Sequence, residues 1–317
     1  MTVALVTGAT GQDGSYLVER LLAEGVTVHG VVRPGDGLPA EPGWTPHAVD
    51  LADRAGLRAL VLRLAPDEVY NLGGISSVAR SWSEPEATAE LTGLAPLTLL
   101  DAALAAQDAT GRPVRVVQAS SAEIFGHPQQ VPQDESTPVA PRNPYGAAKA
   151  FAHHLAAVYR QRGLHVASCV LFNHESPRRP ETFVTRKITR GAARIALGLD
   201  DRLVLGNLGA RRDWGWAPDY VDAMVRAARH GSAGDWVVAT GRAHSVEDFV
   251  RTAFAHAGVD DWERHVEVDP ALLRTGDAPE LVGDPSRAER ELGWRRTYDF
   301  PAMVGAMVDH DLETARG

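Results

Sequence analysis

Tyr145 and Lys149 stand four residues apart in a stretch, Pro144–Arg162, whose pattern predicts a helix, so both project from one face. The chain has six tyrosines and only two lysines, Lys149 and Lys187, among 32 basic residues, so this pairing is seldom accidental. Arginine stays charged, whereas a lysine amine is compact and tunable, so two lysines in an arginine-rich chain mark places where chemistry wants an amine. An ammonium near a phenol favours the phenolate and lowers its pKa. Such a base can take a proton from a hydroxyl while hydride leaves the same carbon. Upstream, QASSAEIFG (118–126) begins where a predicted strand ends. Ser121 there can donate to a carbonyl oxygen. Glu123 adds a second proton-transfer group, which simple dehydrogenation does not need. Taking a proton from the carbon beside a ketone, and expelling a hydroxyl one carbon further on, does need one.

Those four side chains must be held by the elements around them. Strand patterns at Val3–Thr7, Val26–Val32, Glu68–Leu72, Val114–Ala119 and His165–Phe172 alternate in the first half with helix patterns at Gln12–Glu24, Asp53–Leu64, Glu86–Ala106 and Pro144–Arg162, and Asp235–Thr240 reads as a sixth strand returning to the sheet. Pro144 suits the first turn of its helix. The alternation predicts an α/β fold, a doubly wound parallel sheet of Rossmann type, with ligands at the carboxyl ends of the strands. NHESPRRPETF, after Phe172, is polar and proline-broken and reads as a loop. The expected division is a dinucleotide-binding domain over 1–172 plus about 214–244, and a smaller C-terminal substrate-binding lobe over about 173–213 and 245–317.

TGATGQDG (7–14) follows the first strand and opens the first helix. Gly8, Gly11 and Gly14 allow a tight turn and close approach of backbone to a pyrophosphate, where free N–H groups and the helix dipole favour anions. The second strand runs into Arg33, which suits a ribose 2′-phosphate and so NADP, where an acid would suit NAD. Asp36 is nearby but follows Pro34 and Gly35. Asp50 and Leu51 read as flanking the adenine, with a helix N-cap as the other role open to Asp50.

Composition narrows the classes. A net charge of −9 without a long basic run argues against a nucleic-acid partner. The one cysteine, Cys169, lies in an apolar run and cannot form an internal disulfide. No secretion signal opens the chain, no run reads as long enough to span a bilayer, and no metal-ligand cluster is seen. The expected compartment is the cytoplasm.

Taken together, TGATGQDGSYL, PDEVYNLGG, QASSAEIFG, RNPYGAAK, LFNHESPRRPETFVTRKITR, LGNLGARRDWGWAPDYVDAM and LLRTGDAPELVGDPSRAERELGW resemble the extended short-chain dehydrogenase/reductases, and within them the GDP-mannose 4,6-dehydratase family, over nearly the whole length. The resemblance implies a lyase that converts GDP-mannose to GDP-4-keto-6-deoxymannose and water with bound NADP. It implies catalytic roles for Ser121, Glu123, Tyr145 and Lys149. It implies cofactor contacts at Gly8, Gly11, Gln12, Asp13, Arg33, Asp50, Leu51, Leu72, Gly73, His174 and Arg179. It implies substrate contacts at Ser76, Asn173, Lys187, Asn207, Arg212 and Arg274. Ser121 stands where the family has threonine, Ser77 where it has histidine, Ala87 where it has tyrosine and Asp277 where it has glutamate. The loop after Arg33 is short, which favours a homodimer at least as much as a homotetramer. The alternatives are a dehydratase for another nucleotide-sugar, a 4-epimerase or reductase, and a non-catalytic NADP-binding regulator.

Overall fold

The computed structural model describes residues 1–35, 43–272 and 280–316. Asp36, Arg274 and Asp277 lie outside the described residues. The strands of the first half are β1 (Val3–Thr7), β2 (Thr27–Val32), β3 (Thr45–Ala48), β4 (Glu68–Asn71), β5 (Arg115–Ala119) and β6 (His165–Leu171). Shorter strands follow: β7 (Asn173–Glu175), β8 (Leu203–Leu205), β9 (Arg211–Trp216), β10 (Asp235–Val238), β11 (Ala243–Ser245), β12 (Val266–Val268) and β13 (Glu280–Leu281).

Among the described residues, seven strands form one sheet in the order β10-β6-β5-β4-β1-β2-β3, every pair parallel. The order reverses between β1 and β4, which makes the switch point where ligands collect in such sheets. The central strands read as β-branched apolar runs because both faces are covered. Helices α1 (Gln12–Ala23), α2 (Arg54–Leu64), α3 (Val78–Ser83), α4 (Pro85–Thr88), α5 (Ala95–Thr110), α6 (Pro144–Gln161), α7 (Val184–Ala196) and α8 (Ala217–Arg229) precede α9 (Val246–His256), α10 (Ser286–Glu291) and α11 (Phe300–Arg316). Helices α1 and α8 bury Leu17, Leu21, Val221 and Met224 on one face of the sheet. Helices α2, α5 and α6 bury Leu57, Leu60, Leu99 and Ala156 on the other. A separate cluster joins α7, α9 and α11 with β8 and β9 through Ile188, Phe249, Phe254, Met303 and Trp214.

Strands β8, β9, β11, β12 and β13 had no sequence reading, and three further elements differ from it. Strand β3 is an added edge strand, and its Pro46 is tolerated because an edge leaves one side unpaired. The predicted loop after Phe172 begins with β7, which pairs in parallel with β9. The single helix expected over Glu86–Ala106 is a longer path, α4, a π-turn at Ala89–Leu94, then α5 to Thr110. Gly93 in the π-turn faces Phe151 and the Ala148 carbonyl of α6, which an added Cβ would meet at ordinary contact distances of 3.5 and 3.7 Å. By length and mean hydropathy (1.3) this path meets the test for a bilayer span, contrary to the sequence reading. Its apolar residues Leu99, Leu100, Ala102, Ala103 and Leu104 are instead buried against the sheet.

Candidate active site

A cavity of about 620 Å³ opens at the carboxyl edge of the sheet, a size suited to a ligand larger than a simple metabolite. Asp13, Leu72, Ser121 and Asn173 reach it from just beyond β1, β4, β5 and β6, and Lys187, Asn207 and Arg212 from α7 and the segment around β9. A second depression of about 490 Å³, among Arg54, Arg58, Asp101 and Tyr159, contains none of the residues singled out by sequence.

The glycine turn is built as a cradle. Gly8 has φ +69°, and a Cβ there would meet Gly73 at 3.1 Å, so the loops after β1 and β4 touch because neither carries a side chain. A Cβ on Gly14 would lie 2.0 Å from the Gly8 carbonyl oxygen. Gly11 begins α1 without a side-chain cap, leaving the first-turn N–H groups for an anion. These features fit a dinucleotide. Leu72 and Gly73 donate their N–H groups to Thr7 Oγ1 at 3.1 and 2.9 Å, which fixes the facing loop. Gly73 also abuts Leu51. Arg33 follows β2 and is exposed. Asp50 accepts from the N–H of Ala52, and the N-cap of α2 is Asp53.

His174 closes one side of this cradle. Its Nε2 lies 2.8 Å from Asp13 Oδ2, and its ring stacks on Tyr220 at 4.5 Å. Burial pushes the imidazole's pKa down, but the Asp13 carboxylate outweighs it and holds it above its ordinary value. Burial pushes Asp13 up in turn, and His174 and Arg179 bring it below its ordinary value. The Gln12 amide is spent within the protein, donating to the His174 carbonyl at 3.1 Å and accepting from Ser176 at 2.9 Å. Arg179 pairs with buried Glu175 at 3.0 Å and lies over the Phe183 ring, and Thr185 donates to the same carboxylate.

The four residues expected to do chemistry converge in the cavity. Asn143 caps α6 by accepting the Gly146 N–H, and Pro144 occupies the first turn. From there Tyr145 and Lys149 project on the buried face. Lys149 Nζ donates to the Ala119 carbonyl at 2.7 Å and lies 5.8 Å from the centre of the Tyr145 ring. Burial pushes this ammonium down to about 8. The Tyr145 phenol, expected to be lowered, is raised to about 12, chiefly by burial, with Glu123 and Asp13 reinforcing and the Ser121 hydroxyl and Arg179 opposing. Desolvation outweighs Arg179 and the Ser121 hydrogen bond because water is what best stabilises a phenolate. Ser121 starts a short 3₁₀ turn that carries Glu123, its Oγ accepting the Glu123 N–H at 3.2 Å.

Of the expected substrate residues, Ser76, Asn173, Lys187, Asn207 and Arg212 line the cavity. Lys187 donates to the Val204 carbonyl, and Asn207 accepts from Gly209 at 2.9 Å. Two contributors had no sequence reading. Asp213 is buried, and its carboxylate accepts from Thr240, Gly241 and Gly283, fixing the loops behind Arg212. Asn143 is the other, and an Asn before Pro-Tyr at a helix start was the available signal.

The GDP-mannose 4,6-dehydratase family model matches residues 5–307. The chain belongs to that family. It is 43% identical to GDP-mannose 4,6 dehydratase 1 of Arabidopsis thaliana, over 99% of this chain and 91% of the relative. Among solved structures it is similar to a Thermus thermophilus UDP-glucose 4-epimerase in complex with NAD (TM-score 0.85, 29% identity, 98% of this chain and 99% of that one). It is also similar to RMD from Pseudomonas aeruginosa complexed with NADPH (TM-score 0.83, 25% identity, 99% and 100%). Family membership makes the cleft around Tyr145 and Glu123 the place to look for a dehydratase's acid and base.

Proposed function

We propose that this chain removes water from GDP-mannose, giving GDP-4-keto-6-deoxymannose, with Ser121, Glu123, Tyr145 and Lys149 as its catalytic residues. The observation that carries the reading is the carboxylate of Glu123 in the same cavity as the Tyr145 phenol and close enough to shift it. A nicotinamide dinucleotide held by the turn at Gly8, Gly11 and Gly14 would supply a hydride acceptor for C4 oxidation and a hydride donor for C6 reduction. Tyr145 takes the O4 proton, and Ser121 donates to the oxygen as it becomes a carbonyl. The ketone acidifies C5. Glu123 takes the C5 proton and passes it to the departing C6 hydroxyl; as C6 gains hydride, C5 regains a proton through Glu123 from solvent, and Tyr145 releases to solvent the O4 proton it took, so both side chains end as they began. Lys149 would help to hold the dinucleotide and places positive charge near the phenol.

Arg33 beyond β2 supports NADP as the cofactor, through its charge match to a 2′-phosphate. Lys187, Asn207 and Arg212 hold the GDP-sugar from the far side of the cleft, and Arg274 is assigned with them as a diphosphate clamp. The division into a cofactor-binding body over 1–172 and 214–244 and a substrate lobe over 173–213 and 245–317 is supported by the apolar cluster of α7, α9 and α11, although Ala288, Leu292 and Trp294 pack with the sheet and Trp214 with the lobe. A homodimer in the cytoplasm completes the reading, and a lone, buried, unpaired thiol at Cys169 is in keeping with a reducing compartment.

The test is a product assay. Protein is incubated with GDP-mannose and a trace of NADP, and the sugar nucleotide is followed by mass spectrometry. Loss of one water without net NADPH is expected. Unchanged GDP-mannose from folded, NADP-loaded protein would overturn the reading.

A further inference from the structure

We infer that Asn143 is a positioning residue for Glu123, using its two amide atoms to lock the acid–base carboxylate to the helix that carries Tyr145 and Lys149. The inference rests on the dehydratase reading above. Asn143 Nδ2 donates to Glu123 Oε2 at 2.8 Å, while its Oδ1 accepts the Gly146 N–H at 2.7 Å. The amide can sit only this way round, because a backbone N–H needs an oxygen and a carboxylate needs a donor. Gly146 completes the junction: a Cβ there would come 2.5 Å from the Glu123 carbonyl oxygen, so the turn bearing Glu123 rests directly on the first turn of α6.

Helix capping alone does not call for asparagine. Serine and aspartate cap about as well. Aspartate has no donor, and serine's single O–H sits on the capping atom itself, one bond nearer the backbone than the asparagine Nδ2 that reaches Glu123. Glu123 is thus held at both ends, its N–H by Ser121 Oγ and its Oε2 by Asn143. With Oε2 committed, Oε1 is the oxygen that exchanges protons with C5 and with the departing hydroxyl. The same amide sets the helix register of Tyr145, two residues on. One side chain therefore fixes the distance between the base for the first step and the base for the second.

The variants are Asn143→Ser, which keeps the cap and removes the donor, Asn143→Asp, which keeps the cap and sets a like charge against Glu123, and Asn143→Ala, which removes both. Each is loaded with NADP and given GDP-mannose. Single-turnover absorbance of the reduced nicotinamide reports C4 oxidation, and solvent deuterium at C5 of the product reports elimination. Asn143→Ser is expected to retain the wild-type thermal midpoint and KM, oxidise C4 at the wild-type rate, and lose about tenfold in C5 exchange and kcat. Reduced nicotinamide then accumulates transiently. Asn143→Asp is slower still, and Asn143→Ala also melts earlier. If Asn143→Ser turns over like wild type, or slows C4 oxidation as much as C5 exchange, the assignment is overturned while the dehydratase reading stands. If wild type itself leaves GDP-mannose unchanged, the dehydratase reading falls first and takes the assignment with it.

Discussion

Lys149 Nζ donates to the main-chain carbonyl of Ala119 across 2.7 Å, tying the middle of α6 to the last residue of β5. The ammonium is buried there, and its pKa falls from an ordinary 10.5 to about 8. Between those values the unfolded chain binds the proton and the folded chain does not, so stability rises with pH across that window. The penalty from Lys149 is complete below about 8 and gone above 10.5. Ligand-free wild type should therefore gain about 3 kcal/mol relative to Lys149→Met on going from pH 8 to 10.5. Denaturant melts of both proteins through that range measure it. A separation that does not vary with pH would mean that Lys149 titrates normally.

The two bases should separate by step. Tyr145→Phe and Glu123→Gln should each lower kcat by about 10³. Only Glu123→Gln should still oxidise C4, so only it should build up reduced nicotinamide in a single turnover with GDP-mannose. Rapid-mixing absorbance distinguishes them. Equal dehydration by Glu123→Gln and wild type would remove Glu123 from the mechanism.

Gly14 is required for space. An added methyl would sit 2.0 Å from the Gly8 carbonyl oxygen and 2.8 Å from Ala9 Cα. Gly14→Ala should cost about 3 kcal/mol or more and abolish retention of the dinucleotide. Gly25 has φ +75° and open space around it, so Gly25→Ala should cost only about 1 kcal/mol. Thermal melts with and without added NADP compare the two. Similar losses for both would show that the turn has slack.

Arg33 should set cofactor preference. Arg33→Ala is expected to weaken NADP binding about tenfold and to leave NAD binding nearly unchanged, since a charge-assisted contact to the 2′-phosphate is lost. Calorimetric titration with each dinucleotide decides it. An equal effect on both would point to a role at the pyrophosphate or the adenine.

Much of this protein was readable from local pattern. The parallel sheet followed from strand and helix periods punctuated by glycine, because each kind of element shows its buried face at a fixed spacing. Tyr145 and Lys149 could be paired because a separation of four is a fixed distance on a helix. Gly8, Gly11 and Gly14 stood out because a turn that approaches a pyrophosphate excludes side chains.

Tertiary structure decided what depends on partners far along the chain or on the removal of water. Thr45–Ala48 becomes a strand only because β2 lies beside it, and Asn173–Glu175 only because β9 does. Asp13 meets His174 across 161 positions, and Glu123 meets Asn143 across 20, so neither pair has a local signature. The sign of the Tyr145 shift was misread from sequence for the same reason. The neighbouring lysine is visible in the chain, but the burial that raises the phenol, against the Ser121 hydroxyl and Arg179, exists only once β5, α6 and the loop after β6 close around it.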